Sequence, residues 1–102
     1  MYVVYVKMTY VITDYTKARA KELNVKVKPS SKQHKKLDVI KNDKIVASIG
    51  DRRYLDYGMY LDMESNNQIE KGTANKRRQM YKARHGKHVK GSPGYFADQL
   101  LW

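Results

Sequence analysis

LDVIKNDKIVASIG, residues 37–50, is the segment whose reading decides the fold class. Two short runs rich in Val and Ile flank Asn42-Asp43, and Gly50 closes the second run. Asn and Asp tolerate the positive φ that tight hairpin turns demand, so the stretch is predicted to be a β-hairpin. Alternation places Ile40, Ile45, Ala47 and Ile49 on one face, with Leu37, Val39 and Val46 on the other.

Working outward toward the start, residues 25–28 (VKVK) alternate and then meet Pro29, which predicts a short edge strand. Residues 29–36 (PSSKQHKK) are polar and basic and predict a surface loop. Residues 16–23 predict a short helix capped from Asp14. Residues 1–12 predict a further strand, because every even position from Tyr2 to Ile12 is apolar. In the other direction, residues 51–63 (DRRYLDYGMYLDM) predict a loop with one helical turn. Thr73 is the expected N-cap of a helix running to about His85 and ended by Gly86. Ser92 followed by Pro93 is a strong start signal for a second helix. The expectation is one basic α+β domain over residues 1–102: a small antiparallel sheet of three or four strands with two C-terminal helices.

Composition bounds the function. The 102 residues suit a single core. No apolar run predicts a membrane span or a secretory segment. The lack of cysteine removes disulfides and thiolate metal sites and suits an intracellular protein. The net charge of +11 is unfavourable for a compact chain in isolation and points to a polyanionic partner. It is concentrated: residues 71–90 hold eight Lys or Arg and no carboxylate, and residues 17–36 hold eight with Glu22 alone against them.

On the helix from Thr73, 100° per residue puts Arg77, Met80 and Arg84 on one stripe, beside another formed by Ala74, Arg78, Tyr81 and His85. Arginine forks suit phosphate, and a neighbouring tyrosine can stack on sugar or base. The candidate nucleic-acid contacts are therefore Lys76, Arg77, Arg78, Tyr81, Lys82, Arg84, Lys87 and Lys90. Lys32, Lys35 and Lys36 form a second patch. The competing reading is an exposed helix whose arginines pair with carboxylates elsewhere.

Other chemistry is poorly supported by residue type. His85 and His88 have a two-ligand spacing, but Gly86 interrupts the helix between them and no third ligand adjoins. Asp51, Asp56, Asp62 and Glu64 would have to converge for metal-dependent nuclease chemistry; counter-ions for Arg52 and Arg53 are the simpler role. Ser30, Ser31 and Ser48 lack a triad context. No catalytic residue, cofactor, metal or small-molecule substrate is expected. On the last helix Phe96, Ala97, Leu100 and Leu101 predict a core face, and Tyr95, Asp98 and Trp102 an outward face for docking a partner.

Residues 76–85 (KRRQMYKARH), residues 90–102 (KGSPGYFADQLLW) and the hairpin pieces 36–39 and 46–50 together resemble an uncharacterised group of small basic proteins of large double-stranded DNA viruses. The resemblance implies a viral setting, in the infected host cell and the virion. It favours DNA over RNA as the partner. Two functions follow: a non-catalytic nucleic-acid-binding protein, or a minor structural virion protein that binds capsid subunits.

Overall fold

A computed structural model describes residues 10–102. The elements are α1 (Asp14–Glu22), β1 (Lys26–Pro29), β2 (Leu37–Lys41), β3 (Lys44–Ile49), α2 (Tyr57–Ser65), α3 (Thr73–His85) and α4 (Pro93–Leu101). The strands form an antiparallel sheet in the order β1-β2-β3. With the helices this makes an α+β fold. The strand expected over residues 1–12 lies outside the described residues as far as residue 9, and Tyr10 to Ile12 carry no regular structure.

Asn42 and Asp43 take φ of 52° and 63°, so the hairpin turns as its sequence predicts. Its faces differ from the expected ones. A regular two-residue hairpin would pair Val39 with Val46, but Val39 faces Ala47 while Ile40 faces Ile45. Val46 is the extra residue of a β-bulge, and beyond it the pairing shifts by one. Leu37 and Val39 thereby join Ala47 and Ile49 on a single buried face. Ile45 and Val46 are left 52% and 44% exposed. A one-residue slip exchanges faces, which is why alternation alone misassigned them.

α4 covers that face. Phe96, Leu100 and Leu101 pack with Leu37, Val39, Ala47, Ile49 and Ala20 of α1 in one core. Ser92 caps α4 by accepting from the Tyr95 amide, and Pro93 follows at the first turn, as the sequence signals. α1 locks the other end of α4: Thr16 Oγ1 donates to the Leu100 carbonyl at 2.8 Å, and Arg19 Nε donates to the Gln99 carbonyl at 3.0 Å. These bonds satisfy carbonyls that a helix terminus leaves without internal partners. α1 is capped by Thr13, not Asp14, with the Thr13 hydroxyl accepting from the Thr16 amide.

Residues 51–63 hold more helix than expected. Asp56 has extended backbone and its carboxylate accepts from the Met59 amide at 3.0 Å, which nucleates the nine-residue α2. Gly58 lets α2 approach α1, since a Cβ there would meet Thr13 Oγ1 at 2.2 Å. The N-cap of α3 is Gly72, which has φ 95° and no side chain to cap with, and not Thr73, the first helical residue. Glu64 supplies the missing acceptor from α2, taking the Ala74 amide at 2.6 Å. The two C-terminal helices do not share the sheet. α4 packs on β3 and α1, whereas α3 packs on α2.

Leu100 has no exposed surface and joins sheet, α1 and α4. Leu100→Ala should lower unfolding free energy by about 2–5 kcal/mol in urea titrations, with an unchanged denaturant slope.

Candidate nucleic-acid interface

The fold separates structural cations from those left at the surface. Lys36, expected in a surface patch, is 2% exposed. Its Nζ lies 2.8 Å from Asp56 Oδ2, and Asp56 is 1% exposed. Tyr10 donates its hydroxyl to the same carboxylate oxygen at 2.7 Å. Lys36 therefore cannot contact a phosphate. Lys32 and Lys35 remain exposed on the loop between β1 and β2. Arg52 pins that loop by donating to the carbonyls of Ser30 and Lys35, each at 2.6 Å.

On the outer face of the sheet Asp38 is buried between Lys28 and Ser48 in neighbouring strands. Burial alone would raise its carboxyl. Hydrogen bonds from Ser48 and Ser30 and the charges of Lys28 and Lys32 outweigh burial and hold it below the ordinary value.

Along α3 the expected contacts divide into two sets. Lys76, Arg77 and Arg84 are exposed, as are Lys87 and Lys90 beyond the Gly86 cap. Lys82 is committed elsewhere, since its Nζ lies 2.8 Å from Asp98 Oδ1 on α4. The Arg78 guanidinium sits over the Tyr57 ring at 4.8 Å. Tyr81 is buried, stacked between Trp102 at 4.5 Å and His85 at 4.1 Å, so neither of its faces is open to a base.

Tyr95, Asp98 and Trp102, expected to face outward together, are each half-buried and engaged within the chain. Tyr95 meets Phe96 edge-on and packs on the core, Asp98 holds Lys82, and Trp102 turns back onto α3. Trp102 stands at the C-cap of α4, beyond the residues that helical periodicity can place.

The return of Trp102 to α3 builds a feature that residue spacing did not reveal. An open cleft of about 600 Å³ lies between α3 and the loop after β3. Arg77, Met80 and Arg84 form one wall, and Asp51, Tyr54 and Leu55 the other. Tyr81, Leu101 and Trp102 line its base, and Tyr60 borders it beneath the Arg77 guanidinium, 5.9 Å from the ring centroid. The Arg77–Met80–Arg84 stripe was legible in the sequence. The opposite wall was not, because it depends on where α2 and α4 dock.

Three of the four carboxylates considered for metal chemistry have separate structural roles. Asp51 takes a forked hydrogen bond from Arg53, which holds its carboxyl well below the usual range. Asp56 caps α2, and Glu64 serves α3. Among the described residues no group of three or more His, Asp or Glu side chains is arranged to share an ion. None of the described helices is long and apolar enough to cross a membrane.

No protein-family model, curated protein or solved structure matches the chain.

Two measurements test these assignments. Lys36→Met strands a buried carboxylate and should cost about 3–5 kcal/mol of stability, whereas Lys35→Met on the exposed loop should change it by less than about 0.5 kcal/mol. Equal effects would contradict the structural role of Lys36.

Alkali provides the second. Burial raises the phenols of Tyr10 and Tyr81, assisted by the charges of Asp56 and Asp98 respectively, and burial raises Tyr15 against the opposing charges of Arg78 and Arg19. Raised folded values favour the neutral form, so this stabilisation is complete below the ordinary phenol value of 10.0 and is lost as pH climbs through the folded values. Ultraviolet titration should show a late tyrosinate fraction appearing together with loss of ellipticity. Complete ionisation near pH 10 with the fold intact would refute it.

Proposed function

We propose that this protein is a non-catalytic nucleic-acid-binding protein that contacts phosphates through α3 and the segment after it. The carrying observation is the set of exposed cations Lys76, Arg77, Arg84, Lys87 and Lys90, in a stretch with no carboxylate of its own. Among the described residues, side-chain ion pairs engage Arg19, Lys36, Arg53 and Lys82, and none of that set. A rigid helix displaying unneutralised guanidinium and ammonium groups gains most from a polyanion, whose condensed counter-ions are released on contact. Lys32 and Lys35, held on a pinned loop, extend the positive surface. The resemblance of residues 76–85 and 90–102 to proteins of large double-stranded DNA viruses supports DNA as the partner and a viral genome as its source.

Phosphate contacts carry no sequence information, so binding should be nearly independent of sequence. Log affinity should fall linearly with log salt, by about 0.9 per phosphate neutralised. The triple variant Lys76→Gln, Arg84→Gln, Lys87→Gln removes exposed groups and should leave thermal stability almost unchanged. Its salt slope should be shallower by about 1 for each phosphate no longer neutralised, measured by fluorescence anisotropy on labelled DNA. An affinity that does not respond to salt would overturn the proposal.

A further inference from the structure

Phosphate attraction accounts for the arginines of the cleft, but not for its apolar surface. Soluble proteins keep large hydrophobic side chains out of water where they can, and a cluster of exposed ones marks a binding surface. Tyr54 is 66% exposed, Met80 43% and Leu55 37%, and all three line this one cleft. The Trp102 indole also lines the cleft, with one of its faces covered by Tyr81. Trp102 and Tyr81 are nearly parallel, 6° apart with centroids separated by 4.5 Å. Tyr60 is inclined 48° to the indole at 6.4 Å and does not stack flat upon it. Arg77 and Arg84, seven residues apart on one helical face, are offset by about 10.5 Å along the axis. They flank the apolar section as two cationic clamps. Asp51, the one carboxylate among the described residues that line the cleft, is paired with Arg53.

We infer that this cleft receives an unstacked nucleobase of a single-stranded nucleic acid, with the flanking phosphates held by Arg77 and Arg84. The inference rests on the nucleic-acid-binding reading above and deepens it by naming the strand form. A duplex presents phosphates outward and keeps its base faces stacked inside, so it can use the arginines but not Tyr54, Met80 or the indole. A single strand offers both an anionic backbone and a flat apolar ring, and aromatic platforms bind such rings with little regard to sequence. The volume of about 600 Å³ lies within the range of sites that accept compact ligands.

The chain carries one tryptophan, so its emission reports this cleft alone. The full-length protein is titrated with a thymidine oligonucleotide, the same oligonucleotide annealed to its complement, and thymidine 5′-monophosphate, all at physiological salt. The single strand should quench Trp102 and bind at least tenfold more tightly than the duplex. Tyr54→Ala, at an exposed loop position, should weaken single-strand binding by about five- to a hundredfold and leave duplex binding unchanged. Equal affinity for both strand forms without quenching would overturn the cleft inference while leaving phosphate binding intact, as would a Tyr54→Ala variant with wild-type single-strand affinity. Binding of neither form would remove the underlying reading as well. A monophosphate that quenches at concentrations as low as the oligonucleotide would overturn the strand and assign the cleft to free nucleotides.

Discussion

The buried pair of Lys36 and Asp56 is the constraint around which the other elements are arranged. Removing two charges from water is costly, and such a pair persists only where further hydrogen bonds satisfy it. Asp56 meets that condition with both oxygens. One accepts the Met59 amide and starts α2; the other accepts Lys36 Nζ and the Tyr10 hydroxyl. Three separate parts of the chain are thereby joined at one carboxylate: the segment before α1, the entry to β2, and the head of α2. The Lys36 stem also passes against Gly50, where a Cβ would lie 2.9 Å from Lys36 Cδ and 2.8 Å from Leu101 Cδ1. With φ at +79°, Gly50 meets a conformational requirement and a steric one together, and it lets the sheet, the buried lysine and α4 close on one another.

This arrangement also sorts the basic residues. In a chain with 21 Lys and Arg against 10 Asp and Glu, the distribution of the acids determines where charge remains. Arg19 is bonded to the end of α4, Arg52 holds the loop before β2, Lys36 is buried, and Lys82 joins α3 to α4. Each is a cation used as a structural donor, because guanidinium and ammonium groups can satisfy several acceptors at once. The exposed cations of α3 have no such part in the fold. Arg77 and Arg78 form an intermediate case, since both lie over tyrosine rings of α2 while carrying full charge at or near the surface.

The cleft is a consequence of the same packing. α3 makes its main contacts with α2, and the C-cap residue of α4 returns to it. Tyr81 is enclosed by that return, and its burial raises its phenol while Asp98 adds to the effect. A tyrosine that composition suggests as a contact residue thus becomes a wall of the protein. Among the described residues the aromatic surface left to the cleft passes to exposed Tyr54 and half-buried Trp102, which belong to different elements.

Local physical chemistry made several parts legible in the sequence. Asn42-Asp43 specified the turn, Ser92-Pro93 the start of α4, Gly86 the end of α3, and the spacing of Phe96, Leu100 and Leu101 the buried face of α4. Each depends on residues close together in the chain, where propensity and periodicity operate. The stripe of Arg77, Met80 and Arg84 was legible for the same reason. Pairing between distant segments was decided by tertiary structure alone. The bulge at Val46 exchanges the faces of half a hairpin, and alternation cannot register one extra residue. Asp56 reads as one more loop carboxylate until Lys36 is brought beside it from twenty positions earlier. Glu64 caps a helix that begins after its own has ended, and Trp102 completes a cleft whose other wall lies near residue 54. Sequence determined a basic α+β domain with a cationic helix, since charge and helical periodicity are properties of the chain itself. Which cations stayed at the surface, and which aromatic rings met them, was settled only when burial made charge neutralisation obligatory at some positions and left it to a partner at others.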